Sequence, residues 1–252
     1  MMGTLARRLW SAEKLLREDE WGYWHPYLPF LGDEVTGKTI AVIGTGRIGQ
    51  AMIKKCIGFD MSVRCYDLMF QDEQFVAQVQ EDMDLRHRHG WAGERATIRY
   101  AEFEEALSVA DFVSVHVPLL RESESRTSTY HLFNERTLRQ MKPTAYLINS
   151  SRGPVVDESA LARALKENWI AGAALDVYGK EPLTPDSPLR DPALQDCCRL
   201  FPHFASNGKI TRLSADPDKG MAGRTAQAVI NVLESGKPIT ELPWVVNKEA
   251  FK

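Results

Sequence analysis

The chain has 252 residues, 44% of them hydrophobic, and its 31 Lys and Arg against 34 Asp and Glu give a formal net charge of −3. That composition can bury a full core but offers no basic stripe to neutralise a phosphate backbone, which excludes nucleic acid as a partner. No apolar run approaches the roughly 20 residues that span a bilayer, and the start lacks the basic, apolar, small-residue succession of a signal peptide, so no membrane partner and a cytoplasmic location are expected.

Residues Leu5, Leu9, Ala12, Leu15 and Leu16 fall at helical spacing and predict one amphipathic helix over Leu5 to Arg17. It has no cap in front of it, as though the chain started inside an element. Trp21, Tyr23, Trp24, Tyr27 and Phe30 follow, interleaved with Pro26 and Pro29. This arm is too proline-rich for a helix and too aromatic for a solvated linker, so either the chain's own core or another subunit covers it. From Lys38 the pattern changes to short β-branched runs alternating with helical stretches. Lys38–Ile43, Ser62–Tyr66, Ala96–Tyr100, Phe112–Val117, Ala145–Asn149 and Ile170–Val177 read as buried strands. Ile48–Ile57, Phe103–Val109, Asn134–Met141 and Glu158–Glu167 read as the helices between them. Such alternation predicts an α/β fold, a doubly wound parallel sheet with helices on both faces. Leu68 to Arg95 is longer than a usual connection and sets Phe75, Val76, Val79 and Met83 on one helical face, as an inserted helix and loop would.

Gly44-x-Gly46-x-x-Gly49 follows the apolar strand and opens a helical pattern, the context in which this motif binds a dinucleotide. Gly44 makes the tight turn, Gly46 lets the backbone approach a pyrophosphate, and Gly49 lets helix and strand pack closely. The helix N-terminus then holds the anion. Asp67, at the end of the next strand, suits the adenosine ribose hydroxyls and would repel a 2′-phosphate, which favours NAD over NADP. Cys56, Cys65, Cys197 and Cys198 lack the spacing of a chelating set, so reduced thiols and no metal are expected.

Arg152, Glu181 and His203 each follow a predicted strand, and strand C-terminal ends face the ligand crevice of an open parallel sheet. Together they suit carbonyl reduction: an imidazolium stabilised by a carboxylate, beside a guanidinium that clamps a substrate carboxylate. Taken singly, each residue has a stronger bland reading: a solvated turn arginine, a loop-capping glutamate and a satisfied histidine.

The stretches Gly37-Lys-Thr-Ile-Ala-Val-Ile-Gly-Thr-Gly-Arg-Ile-Gly, Ser114-Val-His-Val-Pro, Asn149-Ser-Ser-Arg-Gly-Pro-Val-Val-Asp-Glu, Ala174-Leu-Asp-Val-Tyr-Gly-Lys-Glu-Pro and Pro202-His-Phe-Ala-Ser resemble the ordered motifs of the NAD-dependent D-2-hydroxyacid dehydrogenases. The insertion after Asp67 and the Pro202-His motif are similar to the plant-type NADH-dependent hydroxypyruvate and glyoxylate reductases. The resemblance implies a catalytic Arg152, Glu181 and His203. It also implies NAD contacts from Gly44, Gly46, Arg47, Ile48, Gly49, Asp67, Pro118, Thr129, Ser150, Arg152, Asp176, His203 and Ser206. The substrate would be a small 2-keto or 2-hydroxy acid, and the segment 5–30 a homodimer contact.

The family's flavodoxin-like substrate domain lies mostly ahead of the helix at Leu5, so only remnants of it are expected here. The organisation implied is a junction and arm over 1–36, a Rossmann domain over 37–204, and a helix and tail over 205–252 returning to the substrate domain, with apolar surface exposed on the Leu5 helix and the tail. Asn207 to Lys219 reads as a loop where relatives run into a helix. Two other readings stand beside the enzyme: an NAD(H)-binding fragment without efficient catalysis, and an NAD-sensing interaction protein like the family's corepressor branch.

Overall fold

The structure is a computed structural model that describes residues 1–22, 31–121, 128–216 and 218–234. It divides into two units, Met1–Pro202 and His203–Lys252.

The first unit is built on seven parallel strands: β1 (Thr39–Ile43), β2 (Ser62–Tyr66), β3 (Ile98–Tyr100), β4 (Phe112–Val115), β5 (Tyr146–Asn149), β6 (Gly172–Leu175) and β7 (Cys198–Leu200). Their order is β3-β2-β1-β4-β5-β6-β7, every neighbouring pair parallel. The chain winds outward from β1 in both directions, so the order reverses between β1 and β4. A crevice opens there because the two crossovers leave on opposite faces.

Alternate residues of each strand feed the two faces, since side chains alternate along a strand. Ile40, Val42, Val63, Cys65, Phe112 and Ile148 pack with Leu5 of α1 (Met2–Ala6), Ile53 of α3 (Arg47–Cys56) and Val76, Val79 and Met83 of α4 (Glu73–Arg88). On the other face Ala41, Ile43, Val113, Val115 and Leu147 pack with Leu107 of α5 (Phe103–Val109), Leu138 of α6 (Glu135–Leu138) and Leu161 of α7 (Glu158–Lys166). Burial on both faces explains why the strands read as continuous apolar runs. The inserted helix is α4, and Phe75, Val76, Val79 and Met83 are its buried stripe.

The first helix departs from the sequence reading. Instead of one helix over Leu5 to Arg17 there are two, α1 and α2 (Leu9–Arg17), separated at Arg8, which is left-handed with φ 48°. The break turns Leu5 into the core at 5% exposure and leaves Leu9 and Leu16 at 53% and 60%. Helical periodicity is indifferent to such a kink, because both halves keep their own spacing. The apolar exposure expected of this segment therefore belongs to α2. Of the aromatic arm, residues 23–30 lie outside the described residues, as do 235–252 of the tail.

The second unit holds α8 (Lys209–Leu213) and α9 (Met221–Glu234). The reading of 207–219 as loop is corrected by α8, a helix short enough to leave little periodic signal. Among the described residues, no helix is long and apolar enough to cross a membrane and no group of three or more His, Cys, Asp or Glu could hold a metal. Burial pushes the Cys56, Cys65 and Cys198 thiols up to about 12, so they are protonated.

Candidate active site

The glycine motif sits where β1, β2 and β4 end together. Gly44 has φ +97°, and its N–H donates to Tyr66 O at 2.8 Å. A Cβ on it would lie 2.7 Å from Val117 N and 2.8 Å from His116 C. A Cβ on Gly49 would lie 2.0 Å from Gly44 O. Gly46 differs: a Cβ there meets nothing within 4 Å, so its position faces open space. Gly46 is also the N-cap of α3, and it supplies no side-chain cap. Helices α4 and α7, by contrast, are capped by Asp72 and Asp157. The first-turn amides of α3, with Arg47 and Ile48 exposed, are thus left to a ligand, and an anion is what a helix N-terminus favours. These residues fit a dinucleotide pyrophosphate.

Asp67 stands beside this loop, at the end of β2. Its Oδ2 accepts from Thr45 N at 2.7 Å and from Thr45 Oγ1 at 3.3 Å, and its Oδ1 accepts from Met69 N and Phe70 N at 2.9 and 3.2 Å. Leu68, Met69 and Phe70 are exposed apolar neighbours.

Across the crevice, the loops after β5 and β6 carry Arg152 and Glu181. A Cβ on Gly153 would lie 1.9 Å from both Tyr178 C and Tyr178 O, so the two loops are in backbone contact. Asn149 shapes the first loop: its Oδ1 accepts from Ser151 N and Oγ, and its Nδ2 donates to Arg152 O at 2.9 Å. Glu181 Oε1 accepts from Tyr178 N at 3.0 Å, which fixes the carboxylate on its own loop. Arg152 is exposed, with Nη1 donating to Ser151 O at 2.8 Å. The structure therefore brings the Arg152 and Glu181 loops together. His203, with φ 53°, is the first residue of the second unit, where Ser206 Oγ accepts from Arg212 Nη2 at 2.7 Å.

The comparisons with known proteins bear on this geometry. Residues 1–205 match the family model described as D-isomer specific 2-hydroxyacid dehydrogenase, NAD binding domain. The chain belongs to that family. It is 43% identical over 252 residues to a glyoxylate reductase of Thermococcus litoralis, covering 98% of this chain and 64% of that protein. It is 40% identical over 250 residues to a glyoxylate reductase of Thermofilum pendens, covering 99% of this chain and 63% of that protein. A crystal structure of D-lactate dehydrogenase from Aquifex aeolicus, complexed with NAD and lactic acid, superposes with a TM-score of 0.69 at 26% identity, over 92% of this chain and 63% of that one. The chain thus spans a little under two thirds of the length of the curated relatives it matches.

Of the remaining expected NAD contacts, Ser150 and Asp176 lie just beyond β5 and β6, and Pro118 and Thr129 lie on the connection after β4. Thr129 is buried at 1% exposure and its hydroxyl is engaged locally, donating to Pro118 O at 2.6 Å and accepting from Leu120 N at 2.7 Å. It joins Pro118 to the rest of the β4 loop rather than pointing a free hydroxyl outward. Asp176 is buried just beyond β6, with its N–H on Asn149 O at 2.9 Å. Ser150 is half-buried just beyond β5.

The sequence reading passed over His116. Ser114 and His116 share one face of the β4 line, and Ser114 Oγ lies 2.9 Å from His116 Nε2. Two polar residues at i and i+2 in an apolar strand were the available signal. Burial pushes the imidazole down to about 4, so it is neutral at ordinary pH. The folded-state value lies below the unfolded one, so the unfolded chain takes up the proton first as pH falls. Stability is therefore full above about pH 6.5 and declines toward pH 4, by about 2 kcal/mol at pH 5. His116→Gln is expected to flatten this acid limb in thermal melts taken across that range. An unchanged limb would place the acid sensitivity elsewhere.

Proposed function

We propose that this chain holds NAD(H) and forms the coenzyme half of a reductase that converts glyoxylate or hydroxypyruvate to glycolate or D-glycerate. The observation that carries the reading is the identity of 40% and 43% to glyoxylate reductases over nearly the whole chain. The contact between the Arg152 and Glu181 loops supports it. Bound NADH supplies a hydride to the substrate's carbonyl carbon. The rest falls to this chain's side chains. The Arg152 guanidinium pairs with the substrate carboxylate and presents the carbonyl in a fixed orientation. His203 gives its proton to the carbonyl oxygen as the hydride arrives, and Glu181 is the carboxylate assigned to support that proton donor.

The relatives are longer than this chain, which favours a second reading for the chain taken alone: it binds NAD(H) without efficient turnover, because a second wall is needed to exclude water from the cleft. We also propose a second copy as the partner of the 5–30 segment. Leu9, Trp10, Leu16 and Trp21, each about half exposed, support this reading. The test is NADH fluorescence titration of this chain, followed by NADH oxidation with glyoxylate and with hydroxypyruvate. Saturable binding is expected. Binding without turnover supports the coenzyme-half reading, and binding with turnover abolished by His203→Ala supports a competent enzyme. Failure to bind NADH would sink both.

A further inference from the structure

A chain of hydrogen bonds runs from the inserted helix to Asp67 through two side chains that no coenzyme motif names. Asp72 N donates to Tyr100 OH at 2.8 Å, Tyr100 OH lies 3.1 Å from Thr45 Oγ1, and Thr45 Oγ1 lies 3.3 Å from Asp67 Oδ2. The carboxylate sets the direction. If Thr45 gave its only hydroxyl proton to Tyr100, its lone pairs would face Asp67 Oδ2, oxygen against oxygen. Thr45 therefore donates to Asp67 and Tyr100 donates to Thr45, while the backbone of Asp72 donates to Tyr100. Donors aligned this way polarise one another toward the terminal anion. Thr45 is buried at 2% exposure, and burial raises the Tyr100 phenol above its ordinary value, keeping its proton.

The same Asp72 caps α4 by accepting from Phe75 N at 2.9 Å, and it accepts from Gln50 Nε2 of α3 at 3.3 Å. The relay thus ties the inserted helix, the end of β3 and the glycine loop to one carboxylate. With Thr45 N and the amides of Met69 and Phe70, it gives each Asp67 oxygen two protein donors. A carboxylate held from both sides cannot swing away from an approaching 2′-phosphate.

We propose that Thr45 and Tyr100 are positioning residues that hold Asp67 in the orientation discriminating NADH from NADPH. This rests on the coenzyme reading above. The test is parallel titration of this chain with NADH and NADPH, comparing wild type with Thr45→Val, Tyr100→Phe, Thr45→Ser and, as reference, Asp67→Ala. Loss of one hydrogen bond to the carboxylate is expected to lower the NADH preference about fivefold in Thr45→Val, by less in Tyr100→Phe, and hardly at all in Thr45→Ser. Asp67→Ala is expected to remove most of the preference. If Asp67→Ala removes it while Thr45→Val and Tyr100→Phe weaken both coenzymes equally, or neither, the relay is only structural and the proposal fails alone. If Asp67→Ala leaves the preference intact, or wild type binds neither coenzyme, the coenzyme reading falls and takes the relay with it. Should Thr45→Val not fold, Tyr100→Phe decides by the same ratio.

Discussion

Gly153→Ala is expected to destabilise this chain by upwards of ~3 kcal/mol, a large share of the ~5–15 kcal/mol that holds a typical domain folded. The added Cβ would sit 1.9 Å from Tyr178 C and O and 2.5 Å from Gly179 N. All three are backbone atoms, so no rotamer change relieves the overlap and the loops after β5 and β6 must separate. Those loops carry Arg152 and Glu181, and Tyr178 is itself anchored through its hydroxyl on Phe201 O at 2.8 Å and Leu175 O at 3.2 Å. Separation therefore strains β6 as well. Chemical denaturation read by circular dichroism checks this. A midpoint within experimental error of wild type would mean that the two loops move apart freely, and that their contact does not position the candidate catalytic residues.

Gly44→Ala is expected to weaken NADH binding by at least ~100-fold, through two effects at one atom. At φ +97° an L side chain is strained by roughly 1–2 kcal/mol, and the new Cβ meets the backbone of His116 and Val117 at 2.7–2.8 Å. The turn must then lift away from the end of β4. That displaces Gly46 and the first-turn amides of α3, the groups proposed to hold the coenzyme pyrophosphate. Fluorescence titration with NADH measures the loss. Gly46→Ala offers a contrast within the same motif, because its Cβ meets no protein atom, so any loss there reports on the coenzyme alone. Equal affinity in Gly44→Ala and wild type would remove the glycine loop from the binding site.

Much of this fold was legible along the chain. Strand runs such as Ser62–Tyr66 and the helix Phe103–Val109 fall where hydrophobic pattern placed them, because burial on both sheet faces demands apolar residues at successive positions. The inserted helix was legible from four apolar residues on one face. The strand order was not legible, since parallel pairing joins segments far apart and periodicity carries no partner information. The left-handed break at Arg8 and the short helix at Lys209–Leu213 left no periodic trace.

The amino-acid sequence by itself determined which groups are on offer: three glycines and an acid in the spacing proposed to hold a dinucleotide, and Arg152, Glu181 and His203, the residues proposed for the chemistry, each beyond a strand. Those are local spacings, and a motif is local by nature. Only the tertiary structure decided which backbones touch and which polar atoms pair. It set Gly153 against Tyr178, engaged the Thr129 hydroxyl with Pro118 and Leu120, and joined Thr45, Asp67, Asp72 and Tyr100 into one network. Thr45 follows β1, Asp67 and Asp72 follow β2, and Tyr100 ends β3. The physical reason is that a hydrogen bond needs its partners within about 3 Å, and only packing brings distant segments that close.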